Sequence, residues 1–171
     1  DPDGPLCSCG QRGCWQALAD VEREVGLFQE RLLAGETSAL ELVTALQEGT
    51  LEHRAIHQAA VERDAVALGI VRTILAHHAL GITNLVRLFD PELVVLGYAN
   101  LALPEAYKTR MKIISAIPEI DIPSNVRRQL AYRGVATPTI VDATYESDAC
   151  VLGAAALVID EFIRTPPTPA S

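Results

Sequence analysis

Cys7-Ser8-Cys9-Gly10-Gln11-Arg12-Gly13-Cys14 decides the reading of this chain. The pattern C-x-C-G-x-x-G-C sets three thiols on one short loop. Gly10 and Gly13 permit the positive φ angles that so tight a turn requires. Three sulfur ligands this close suit a tetrahedral Zn2+ with one position left for a further ligand. The competing readings of the same residues are a disulfide with a spare thiol, or three unrelated cysteines.

The bulk properties frame that loop. The chain has 171 residues, long enough for a sizeable core. It is 49% hydrophobic and 21% charged, the balance of a water-soluble globular protein. The net charge of −8 argues against a grip on nucleic acid, which needs clustered Lys and Arg. No uninterrupted apolar run reaches about 18 residues, so no membrane span is expected. Four cysteines, three in a metal-type cluster, fit a reducing, cytoplasmic setting better than a disulfide framework.

Outward from the loop, the periodicity predicts helix from Cys14 to about Leu33, with Leu18, Val21, Val25, Phe28 and Leu32 on one face. Gly35 stops it. Thr37 or Ser38 is expected to cap a helix ended near Gly49, and Thr50 the next. One long helix is expected from about Leu51 to Phe89, with Leu75 and Ile82 in the core and Gly69 or Gly81 as possible breaks. Asp90-Pro91 ends it. Leu93–Leu96 reads as a buried strand, Pro104 to Ile117 as a helix, and Ser124 as the cap of a short helix to Leu130. Thr137–Val141 reads as a second strand. Ser147 is expected to cap a last helix, and 165–171 reads as a disordered tail. The sum is an α/β chain, mostly helical, with too few strands for a self-sufficient sheet.

The cysteine loop resembles that of the ROK family (repressors, open reading frames and kinases). Asn84–Gly97, ending in Leu93-Val94-Val95-Leu96-Gly97, is similar to that family's helix-to-strand stretch, and Leu152–Leu157 to the start of its last helix. The resemblance spans most of the chain. It implies an actin-like fold (the ribonuclease H-like superfamily of sugar kinases, Hsp70 and actin), of which residues 1–164 would be the C-terminal part and residues 1–16 the zinc-binding loop. It implies zinc on Cys7, Cys9 and Cys14, with a histidine upstream of residue 1 as fourth ligand. A lobe so truncated is expected to expose a sheet edge or to pair with another copy.

The resemblance also marks candidate binding residues. Gln16 stands where sugar-binding members have a glutamate that contacts sugar hydroxyls; its plainer reading is a surface polar residue. Trp15 could stack on a sugar, or pack beside the loop. Gly97 falls where the kinases bring backbone close to a nucleotide; Gly153, followed by Ala154, Ala155 and Ala156, reads first as close helix packing and second as a nucleotide contact. Tyr98 replaces the second glycine of the kinases' pair and would crowd phosphate. His53, His57, His77 and His78 read as solvated, as do Glu22, Arg23 and Glu24, and Cys150 as a buried thiol.

Two functions follow. The first is a sugar-responsive transcriptional repressor, akin to members from high-GC Gram-positive bacteria. This chain would be its effector-binding and oligomerising part, with DNA contacted by a domain outside it. The second is an ATP-dependent sugar kinase resembling glucokinase. Its phosphate loop and catalytic aspartate would precede Asp1, so no residue here is assigned as catalytic. Gln16 and Tyr98 favour the repressor.

Overall fold

The computed structural model describes residues 1–97, 121–131, 136–143 and 149–164. The expected helix 104–117, Tyr98, the Ser147 cap and the tail 165–171 lie outside these. After the cysteine loop come α1 (Trp15–Ala19), α2 (Val21–Leu33), α3 (Leu40–Gln47), α4 (His53–Val61) and α5 (Ala65–Phe89). Then follow β1 (Leu93–Leu96), α6 (Ile122–Ala131), β2 (Thr139–Asp142) and α7 (Ala149–Arg164). The strands pair in parallel, Leu93 opposite Thr139 and Leu96 opposite Asp142.

Helix α5 organises the rest. Its N-terminal half carries Val66, Ala67, Ile70, Val71 and Ile74 into a cluster with Phe28, Leu42, Ile56 and Ala60. Its C-terminal half carries Ala79, Ile82 and Val86 into a second cluster with Leu96, Val126, Leu130 and Ile140. Leu75, at the junction, packs against both and is only partly buried. Ile82 is buried as expected, whereas Phe89 is exposed. The row Val66, Ile70 and Ile74 is the main seam of the first half. By length and composition α5 could cross a membrane; its seam from Val66 to Val86 is buried within the protein.

Several expected boundaries move, each for a local reason. The first helix breaks at Asp20, which is extended and whose carboxylate accepts from the Arg23 N–H at 2.7 Å, capping α2. The long helix breaks not at a glycine but at 62–64. Arg63 takes a positive φ of 73°, and Asp64 accepts from the Ala67 N–H at 2.8 Å to start α5. Gly69 and Gly81 lie within the unbroken helix, where neighbours pack flush against them: the Arg31 guanidinium over Gly69 and the Trp15 indole over Gly81. Gly35 and Gly49 do end their helices, at φ of 89° and 71°.

Three expected caps also fail. Neither Thr37 nor Ser38 caps α3, whose N-cap is Ala39; the Ser38 hydroxyl donates instead to Asp64. Thr50 turns back to the Ala45 carbonyl, and Glu52 precedes α4. Asp121, not Ser124, opens α6, accepting from the Ser124 N–H at 2.9 Å. Strand β1 is buried on one face only: Leu96 is buried while Leu93 and Val95 are more than half exposed. Both edges of this two-stranded sheet lack a partner among the described residues.

Candidate metal site and adjoining pocket

The cysteine loop is a small closed structure. Leu6 and Arg12 form an antiparallel bridge, and the Cys7 N–H donates to the Gln11 carbonyl at 2.8 Å. The Gly10 N–H donates to the Cys7 carbonyl at 2.9 Å, closing the turn, with φ of 84° at Gly10 and 63° at Gly13. The first residues brace it from behind. The Gly13 N–H donates to the Pro5 carbonyl at 2.9 Å, and the Arg12 guanidinium donates to the Gly4 carbonyl at 3.2 Å.

This frame brings the Sγ atoms of Cys7, Cys9 and Cys14 within 4.8 Å of one another, and they could hold a metal ion. Cys9 Sγ and Cys14 Sγ lie 3.6 Å apart. A disulfide needs about 2.05 Å, whereas two thiolates on a tetrahedral ion with bonds of about 2.3 Å stand roughly 3.8 Å apart. All three cysteines are free. The donor set thus fits a cation and not a cross-link. The thiols also influence one another. Cys14 shares a hydrogen bond with Cys9 and is pushed up to about 11, while the Cys9 backbone N–H facing Cys7 lowers Cys7. Three such sulfurs can all ionise together only when a cation offsets their charge.

Cys14 is also the N-cap residue of α1, and its carbonyl accepts from the Leu18 N–H at 3.0 Å. The loop therefore sets the direction of Trp15 and Gln16. These two, with Ala19, Asp20 and His78, line an open pocket of about 260 Å³. Asp20 enters because the chain turns there between α1 and α2. Trp15 packs on Gly81 and meets the His78 ring edge to face at 6.0 Å. It is a wall of the pocket as well as a packing residue.

His78 is half-buried rather than fully solvated. Burial lowers its pKa, outweighing the charge of Glu24 and the Ala19 backbone, which act in the opposite sense. Glu24 and His57 depart further from the expected solvated face: Glu24 is 4% exposed, and its carboxylate lies 2.9 Å from His57 Nε2. His53 stacks edge to face on His57, and burial lowers its pKa too. His78 and Asp20 were missed as pocket residues. The faint signal for His78 is its place one turn from Gly81, where a bulky neighbour must lie.

Gly97 ends β1 and Gly153 lies in α7, and a side chain at either would meet nothing within 4 Å. The close packing expected at Gly153 is absent among the described residues. Helix α7 presents residues 151–160 all exposed. The side chain of Cys150 lies outside the described residues.

Comparison with known proteins follows the same lines. A sequence profile of the ROK family matches residues 1–161. The chain belongs to the ROK family. It is 34% identical over 99 residues to a glucokinase of Streptomyces coelicolor, covering 56% of this chain and 31% of that protein. It is 26% identical over 169 residues to the xylose repressor of Bacillus subtilis, covering 95% of this chain and 35% of that protein. A ROK family glucokinase from Streptomyces griseus, solved with glucose and AMPPNP, superposes with a TM-score of 0.63 at 24% identity. That match covers 92% of this chain and 48% of that one, and at such identity it speaks to the fold alone. The chain thus spans less than half the length of these relatives, which include both kinases and repressors.

Proposed function

We propose that the chain is the effector-binding part of a sugar-responsive ROK transcriptional regulator. On this reading, residues 1–164 belong to an actin-like domain acting in the cytoplasm as a homo-oligomer, with DNA held by a domain outside this chain. The observation that carries the reading is Gln16. It lines the pocket beside the cysteine loop, where the resemblance places a glutamate in sugar-binding members. An amide both donates and accepts, so it can meet sugar hydroxyls without a fixed negative charge. Tyr98, in place of the kinases' second glycine, supports the same branch through its bulk.

Zn2+ would be held by Cys7, Cys9 and Cys14, with an upstream histidine as fourth ligand. When bound it supplies structural cross-linking, not chemistry. The chain's own residues do the rest. Cys14 fixes the start of α1, α1 orients Gln16, and Trp15 and His78 form two walls of the pocket. Sugar would act by binding one arrangement of the protein better than another, moving the DNA-binding modules with it.

Trp15 lines the pocket, and sugar binding is read by calorimetry. The test offers the full-length protein a panel of hexoses, pentoses and amino sugars, with ADP release followed in parallel. Saturable binding without turnover supports the regulator. Sugar-dependent turnover near about 1–10³ per second establishes the kinase instead, the reading favoured by the Streptomyces coelicolor relative.

A further inference from the structure

A carboxylate stands on the core face of α2. Glu24 lies one turn before Phe28, which is fully buried, and the Glu24 side chain is itself only 5% exposed. Its Oε2 is buried and accepts no hydrogen bond. A buried carboxylate oxygen left so is costly unless a positive charge or a metal satisfies it. The nearest group is His57 Nε2 of α4, at 2.9 Å, in an ion-pair contact that lacks hydrogen-bond alignment. One turn earlier on α4 stands His53, its ring edge to face with His57 at 5.8 Å between centroids.

We propose that Glu24, His57 and His53 form a second metal site, distinct from the cysteine loop, for a divalent transition ion such as Zn2+, Co2+ or Ni2+. The spacing supports it. Two ligands on one ion with bonds of about 2.1 Å stand roughly 3.0–3.4 Å apart, according to whether the site is octahedral or tetrahedral. The Glu24 oxygen and the His57 nitrogen, at 2.9 Å, stand just inside the octahedral separation. Imidazoles at i and i+4 share a helix face, so a turn of the His53 side chain brings in the third ligand. Among the described residues only the three cysteines have all their ligand atoms within 4.8 Å; here Glu24 and His57 are paired at 2.9 Å and His53 would have to turn to complete the set. The donor set of two imidazoles and one carboxylate selects borderline divalent ions, and excludes the soft preference of the thiol loop. Bound there, the ion would satisfy the buried oxygen and tie α2 to α4.

The experiment uses the full-length protein with its cysteine loop already loaded with Zn2+, titrated with Co2+. The expected result is one further equivalent per chain, with weak visible bands, no thiolate-to-metal charge-transfer band, and a raised melting temperature. Glu24→Gln keeps the volume and removes a buried charge, so it should fold; it should weaken that equivalent about tenfold or more. His53→Asn, at a half-buried position, is the second variant and should do the same. Zinc content at the loop should not change in either. A wild-type protein that takes up no further Co2+, or variants that bind it as the wild type does, would overturn the proposal.

Discussion

Ser38 and Asp64, 26 residues apart in sequence, are joined by a hydrogen bond of 2.8 Å from the serine hydroxyl to Oδ2. The same oxygen accepts from the Ala39 N–H at 2.9 Å, and Oδ1 from the Ala67 N–H at 2.8 Å. One carboxylate thus caps α5 and holds the start of α3 against it.

Removing this carboxylate should leave donors at both helix starts unsatisfied. Asp64→Ala is expected to cost about 2 kcal/mol, at the upper end for a single cap. The pH dependence follows from its environment. Burial pushes the Asp64 carboxyl up, but hydrogen bonds from Ala67, Ser38, Ala39 and Val66 outweigh it and hold the pKa below its ordinary 3.8. A depressed carboxyl contributes stability that is full above the unfolded pKa and lost as pH falls through the folded one. The gap in melting temperature between wild type and Asp64→Asn should therefore be widest near neutrality and shrink below about pH 4. A gap constant down to pH 3 would contradict the role.

The two glycines within α5 should respond oppositely to alanine. In an open helix, Gly→Ala gains about 1 kcal/mol. At Gly81 a Cβ would collide with the rigid, packed Trp15 indole, so Gly81→Ala should destabilise by about 1–3 kcal/mol. At Gly69 the obstacle is the end of the Arg31 side chain, 2.5 Å from the Cβ position. A guanidinium can swing aside, so Gly69→Ala should be near neutral or stabilising. Denaturant melts of the pair decide it.

Two positions of α5, one inside a cluster and one between the two, should likewise separate. Ile70 is fully buried, so Ile70→Ala should cost about 2–5 kcal/mol. Leu75, partly buried between two clusters, should cost less when truncated. Equal costs would mean that the helix is rotated from the described face.

What was legible in the sequence had a local cause. Cys7 to Cys14 names its own turn, because two glycines and three thiols admit few backbones. The stops at Gly35 and Gly49 and the end of α5 at Asp90 could be read for the same reason. The breaks at Asp20 and Asp64 were harder. Aspartate caps a helix only if the preceding chain leaves the helical region, and at Arg63 the chain does so through a positive φ that no side chain advertises. Gly69 and Gly81 were misread because their partners, Arg31 and Trp15, lie far away in sequence. Glu24 was misread for a similar reason. It sits among charged neighbours, and only the packing of α4 shows that it faces His57 rather than water. The pocket needed α1 and α5 to meet, so Gln16 was visible as a candidate while His78 was not.

The cysteine loop and the pocket should prove to be one device. Cys14 is both a candidate ligand and the N-cap residue of α1, and Gln16 follows two residues later. A metal on the three sulfurs would hold the first turn of α1, and with it the Gln16 amide and the Trp15 wall. Thiolate binding competes with protons, so the metal should be held at neutral pH and released to a chelator more readily as pH falls. Full-length protein is expected to carry one zinc on this loop under reducing conditions, and Cys9→Ser should lose it. Cys9 is exposed, so that change removes a ligand with little lost packing. The decisive measurement is sugar affinity, read by calorimetry in three proteins: wild type, Cys9→Ser and Gln16→Ala. If the loop positions the pocket, Cys9→Ser should weaken sugar about as much as Gln16→Ala does, on the order of tenfold for a lost polar contact. Full affinity in a zinc-free Cys9→Ser protein would show that the loop braces the fold but does not orient the site.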